Sequence, residues 1–216
     1  LRAIGDSFAK MFTITNEMTI SAGSMLFEGN ANPEARTLLY QKDREVNKLQ
    51  RTIRKKVVAH MSVAGNRTDV PYCLLLMSLV KDVERLGDYA KNLSEVIDLR
   101  HSVLPDDEIT SELGEIRSGV ESAYQLALDV FTTSNSERAI ELITQGRDLA
   151  HRCDALLGKI SRSNYDAAST TAAVLATRYY KRIDSHVLNI LSAVVMPHHK
   201  VDYFDEKEIP AERKPK

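Results

Sequence analysis

Glu84 and Asp88 stand four residues apart in the run Lys81-Asp82-Val83-Glu84-Arg85-Leu86-Gly87-Asp88-Tyr89-Ala90-Lys91-Asn92. In a helix that spacing puts both carboxylates on one face, one turn apart. Leu75, Leu79, Val83, Leu86, Ala90, Leu93 and Ile97 form an apolar stripe of helical period around them. A rotation of about 100° per residue sets Glu84 and Asp88 nearly opposite that stripe, pointing away from a bundle core. Two like charges at this spacing repel unless a cation lies between them. That cation is either a basic side chain, with Lys81, Arg85 and Lys91 in reach, or a bound metal ion. Spacing alone favours the basic side chain, because carboxylate pairs on solvated helix faces are common.

The elements that must position this pair are all helical. Straight-chain residues dominate, Gly and Pro number nine and six, and there is no Trp. A first helix over about 3–27 carries Ile4, Phe8, Met11, Met18, Ala22 and Met25 on one stripe. Gly29 reads as its stop, and Asn32-Pro33-Glu34 as the cap and first turn of the next. The second helix runs to about Val63 with Ala35, Leu39, Val46, Leu49, Ile53 and Val57 inward, and Gly65-Asn66 ends it. Thr68 or Asp69 caps the third.

The pattern then recurs. A fourth helix holds Ile116, Val120, Ala123, Leu126 and Val130. Ser134-Asn135-Ser136 makes the turn into a fifth, which reaches about Ser161. A sixth carries Ala172, Ala176, Tyr179, Ile183, Val187, Ile190 and Val194 and ends before Pro197. Phe27, Ala35, Leu38 and Gln41 match Phe131, Ala139, Leu142 and Gln145 at one offset. Arg85, Leu86 and Asn92 match Arg182, Ile183 and Asn189 at an offset seven residues shorter. Short connections between long amphipathic helices imply antiparallel neighbours. The expected fold is therefore all-α, two tandem antiparallel three-helix bundles: residues 1–101, residues 108–196, and a polar tail over 197–216 with three prolines.

The phrase Val83-Glu84-Arg85-Leu86-Gly87-Asp88-Tyr89, with Asn92 after it, resembles the carboxylate signature on the last helix of each bundle in the PhoU family of phosphate-transport regulators. Asp43-Arg44-Glu45-Val46-Asn47 resembles that family's acidic phrase on the second helix, with Asn47 in place of the last acid. The resemblance implies a metal site on Glu84, Asp88 and Asp43, with iron or zinc bound. On chemical grounds the oxygen donors also suit manganese, magnesium or calcium.

It further implies a regulator of phosphate uptake and signalling, and not an enzyme. Such a protein is an adaptor toward phosphate-transporter components or a sensor histidine kinase, cytoplasmic and peripheral to the inner membrane. A homodimer is compatible with that role. A PhoU-like cytosolic part of a sodium–phosphate cotransporter, or a permease accessory protein, is the alternative.

The second copy of the signature departs from the pattern. In Arg178-Tyr179-Tyr180-Lys181-Arg182-Ile183-Asp184-Ser185-His186, Lys181 takes the Glu position and Ser185 the Asp position. A lysine opposes a cation, so no second metal site is expected. Asp148 and His151, three apart on the fifth helix, read as a lone structural pair. A helical-bundle di-metal enzyme is disfavoured too, because such a site needs two Glu-x-x-His motifs and the chain has none.

The remaining composition excludes more than it assigns. A formal net charge of −1 gives no footprint for nucleic acid. Lys48, Arg51, Arg54, Lys55 and Lys56 make one helix face basic, and read first as a solvated face, then as a surface for an anionic partner or phosphate. Cys73 and Cys153 read as small core residues of a reduced compartment. No stretch approaches the roughly 20 apolar residues that cross a bilayer. The chain begins at Leu1, which leaves room for an upstream targeting or membrane segment. No phosphate loop, nucleophile elbow or zinc-protease motif occurs.

Overall fold

The computed structural model describes residues 1–28, 32–100, 103–197 and 200–201. Gly29 and His198-His199 lie outside the described residues, as does the tail beyond 201. Six long helices account for the described chain: α1 Arg2–Glu28, α2 Pro33–Met61, α3 Val70–Glu95, α4 Glu108–Thr133, α5 Ser136–Ile160 and α6 Ala167–Val195. Short 3-10 turns cover Ala64–Asp69 and Val96–Leu99.

The helix starts follow from local chemistry. Asn32, Asp107, Asn135 and Asp166 each stand in extended backbone before a helix. Their side-chain oxygens accept the backbone N–H of Ala35, Thr110, Arg138 and Ser169, three residues on, at 2.7, 3.0, 3.0 and 2.6 Å. Each such cap satisfies a donor the helix cannot use and contributes about 1 kcal/mol. Asp69 stands at the cap position of α3 but makes no cap bond. Its carboxylate takes Nε2 of His60 at 2.8 Å instead. Ser134 ends α4 in the left-handed region at φ 54°.

α2 lies against α1 and α3, and α5 against α4 and α6. The two sets of three also pack on each other through α1 against α4 and α3 against α6. The buried apolar residues therefore form one continuous core across both sets. Phe8 meets Phe131 with ring centroids 5.5 Å apart, and Phe12 meets Tyr124 edge-on at 4.9 Å. The Tyr124 hydroxyl is 2.6 Å from Oγ1 of Thr15, which satisfies a polar group buried at the join. Each fully buried large side chain here contributes roughly 1.5–3 kcal/mol.

Two helix registers differ from the sequence reading. Leu126 is exposed, and Tyr124 is buried in its stead, because α4 turns one face to α1 as well as to its own bundle. On α6, Tyr180 is fully buried while Tyr179 is partly buried and lies against Tyr89 of α3. Cys73 and Cys153 are free and buried. Val201 is also buried, so packed chain continues past Met196.

Candidate functional site

The carboxylates of α3 do not point straight away from the core. The Glu84 side chain is only 18% exposed and that of Asp88 27%, while Asp43 of α2 is 13% exposed. The three lie along the seam where α2 covers α3. This corrects the outward orientation inferred from periodicity: α2 packs over that edge of α3, so a residue opposite one stripe still meets a neighbour. Gly87, one turn from Val83, is part of the reason. A Cβ there would sit 3.3 Å from Thr15 Cγ2 and 3.5 Å from Val46 Cγ1, so the bare backbone lets α1 and α2 approach.

Cations of the chain itself occupy the space between these carboxylates. Arg85 reaches Asp88 at 3.0 Å and Glu84 at 3.8 Å. Lys91 reaches Asp43 at 3.3 Å and Asp88 at 3.9 Å, bridging α2 and α3. Lys81 takes no part. Burial first, and then the Asp88 charge, hold the Glu84 carboxyl above its ordinary range, against the pull of Arg85 and Arg54. Among the described residues no three His, Cys, Asp or Glu side chains come together closely enough to hold a metal ion. In this arrangement Arg85 and Lys91 supply the counter-charge to Asp43, Glu84 and Asp88.

On α6, Lys181 places its ammonium 2.6 Å from both carboxylate oxygens of Asp154 on α5. Oγ of Ser185 turns back to the carbonyl of Lys181 at 2.9 Å. Asp148 and His151 are both exposed on α5.

Periodicity missed the two buried carboxylates. Asp184 is 1% exposed, and neither of its oxygens has a hydrogen-bond partner. It fits because Gly146 of α5 faces it: a Cβ there would stand 2.9 Å from Asp184 Oδ1 and 2.6 Å from Leu188 Cδ2. Burial pushes the Asp184 carboxyl up to about 8. Asp82, 7% exposed, lies instead between the bundles. Its Oδ1 accepts from Nδ1 of His186 at 2.7 Å and from Nδ2 of Asn189 at 2.8 Å, both on α6. The His186 ring stacks on Tyr89 with centroids 5.6 Å apart.

The internal duplication held the signal for this pair. At the offset relating the last helices, Asp82 corresponds to Tyr179 and Tyr89 to His186. Asp82 meets His186, and Tyr89 meets Tyr179 at 6.1 Å. The two contacts exchange when the halves are exchanged, and residue numbers run in opposite directions along α3 and α6. The bundles thus face each other across a pseudo-two-fold axis.

Beside Asp82 a groove of about 460 Å³ opens to solvent, lined from α2, α3 and α6 by Arg54, Lys81, Arg85, Arg182, His186 and Asn189, among others. No described helix is long and apolar enough to cross a membrane.

Residues 8–97, which span α1 to α3, match the family model described as "PhoU domain". The fold of solved PhoU structures extends beyond the matched residues, over 90–98% of the chain. The crystal structure of the phosphate transport system regulatory protein PhoU from Streptococcus pneumoniae superposes with a TM-score of 0.79 at 17% identity, covering 98% of this chain and 97% of that one. PhoU from Pseudomonas aeruginosa gives 0.80 at 19% identity, over 90% and 95%. A phosphate-specific transport system accessory protein PhoU homolog of Clostridium acetobutylicum is 21% identical over 164 residues, 73% of this chain and 74% of that protein. Glu84 and Asp88 fall within the matched residues; Lys181 and Ser185 lie outside them.

Proposed function

We propose that this chain regulates phosphate uptake and phosphate signalling by docking to partners, without catalysing a reaction. It is a helical adaptor toward phosphate-transporter components, a sensor histidine kinase, or both, at the inner face of the membrane. The PhoU-domain match over residues 8–97 carries the reading, together with a relative of similar length that is itself an accessory protein of phosphate transport.

The surface chemistry supports it. α2 lies on the outside and exposes Lys48, Arg51, Arg54, Lys55 and Lys56 in a basic run. The same helix exposes Leu38, Tyr40 and Val58. A rigid helical face that mixes cations with apolar and aromatic side chains suits a protein partner.

The test is recovery of partners on the tagged full chain from cells grown with and without phosphate. Transporter components or a sensor kinase should be recovered in at least one condition. Recovery of neither in both conditions overturns the adaptor reading. A metal role for Asp43, Glu84 and Asp88, with iron or zinc as the ion, belongs to the same proposal and requires Lys91 and Arg85 to swing aside. Self-association to a homodimer is read separately, by light scattering.

A further inference from the structure

We infer that the groove between α2, α3 and α6 is an oxyanion site that takes a phosphate group on Arg54, Lys81 and Arg182. The inference rests on the charges of the groove and shares only Arg54 with the basic run of the adaptor reading. Three separate helices deliver these cations to one opening: Arg54 from α2, Lys81 from α3 and Arg182 from α6. All three are exposed, and none makes a hydrogen bond or ion pair among the described residues.

The nearby carboxylates are otherwise engaged. Asp82, the one carboxylate lining the groove, accepts from His186 and Asn189. Asp88 holds Arg85, the fourth cation of the lining, at 3.0 Å. Glu84 acts on Arg54 only through its field. Chain folding has thus gathered three cations around one opening with no hydrogen-bonded or ion-paired carboxylate on any of them among the described residues.

An anion in the groove gains charge-assisted hydrogen bonds from these cations. Two guanidinium forks and an ammonium supply donors for several oxygens at once, which a phosphate group, with more oxygens and more charge than a carboxylate, can use. Ser78 and Asn189 add neutral polar groups to the lining. The groove is open and holds about 460 Å³, room for a phosphate group with part of whatever carries it. Free inorganic phosphate and the headgroup of an anionic lipid share this chemistry.

The experiment uses the full chain at low ionic strength, titrated calorimetrically with inorganic phosphate. In parallel it is sedimented with phosphatidylcholine vesicles with and without phosphatidic acid. The chain should bind one of the two probes, and Arg54→Gln with Arg182→Gln should weaken that binding at least tenfold. Arg51→Gln, which removes an exposed charge from the same helix outside the groove, should leave it within twofold. Circular dichroism melting of each variant separates lost binding from lost fold, and Lys81→Gln supplies a second single-site readout if the double variant melts early. Phosphate binding identifies the free anion as the ligand, and vesicle binding alone identifies the headgroup. Failure of both probes, or equal weakening by Arg51→Gln and the groove variants, overturns the site.

Discussion

Asp82 of the first bundle accepts a hydrogen bond from Nδ1 of His186 of the second at 2.7 Å, and the His186 ring lies flat against Tyr89. Because an ionised carboxylate only accepts, the geometry requires Nδ1 to carry the proton. Asn189 occupies the same Oδ1 at 2.8 Å, so one oxygen at the join gathers two donors from α6. Truncating either partner leaves the other half-buried without its bond. His186→Ala and Asp82→Ala should each lower stability by about 1–3 kcal/mol in urea unfolding. The double variant should lose less than the sum, with a coupling of at least ~0.5 kcal/mol. Strict additivity would show that the two side chains do not act together.

Asp184 predicts an unusual pH dependence. Its folded-state carboxyl titrates near 8 because burial disfavours the charge, whereas the unfolded chain titrates near the ordinary 3.8. Between these values the folded state binds more protons than the unfolded one. Stability therefore falls as pH rises through that window, by up to about 1.4 kcal/mol for each pH unit. Asp184→Asn should flatten the slope of melting temperature between pH 5 and 8. An unchanged slope in the variant would place the titration elsewhere.

Gly23 is a helical glycine at which alanine should harm the protein. Alanine ordinarily favours a helix interior by about 1 kcal/mol. Here a Cβ would stand 2.6 Å from Glu121 Oε1, 2.7 Å from the Tyr180 hydroxyl and 2.8 Å from Arg117 Nε. Arg117 and Glu121 pair at 2.9 Å in that space, under α1. Gly23→Ala should destabilise by about 1–3 kcal/mol, through a shifted ion pair and forced rotamers. Chemical denaturation reads it directly, and a gain in stability would refute the close packing of α1 on α4.

For the metal proposal, the discriminating variants are Lys91→Met and the pair Glu84→Ala with Asp88→Ala. Removing Lys91 takes away the ammonium between Asp43 and Asp88, so uptake of iron, zinc or manganese should rise. Removing the two carboxylates should abolish it. Elemental analysis of protein purified with added metal gives the answer, and equal metal in wild type and the double-alanine variant defeats the assignment.

The helices and their order were legible in the sequence because one periodic stripe per helix is enough to declare a helix. What periodicity could not convey is that α1, α3, α4 and α6 are each buried on more than one side. The stripe of α3 includes Val83 and Leu86 but passes over Asp82, whose burial comes from α6 and not from its own bundle. Tyr179 and Tyr180 are adjacent aromatics on α6, and the choice between them depends on which neighbour each turns toward. Asp184 was invisible for another reason: its burial depends on Gly146, a residue on a different helix that no local pattern links to it. The carboxylate seam was half legible. Four-residue spacing put Glu84 and Asp88 together, yet the covering by α2 and the insertion of Lys91 between Asp88 and Asp43 are tertiary facts.

The antiparallel meeting of α3 and α6 makes the body nearly symmetric in shape, but its two flanks carry different charge. One seam bears Asp43, Glu84 and Asp88 with their two cations; the other bears Lys181 locked onto Asp154. A true two-fold dimer would offer any partner two equivalent berths and no preferred heading. Here the same outline has a head and a tail: a partner that reads the charge would engage once per chain, in one orientation.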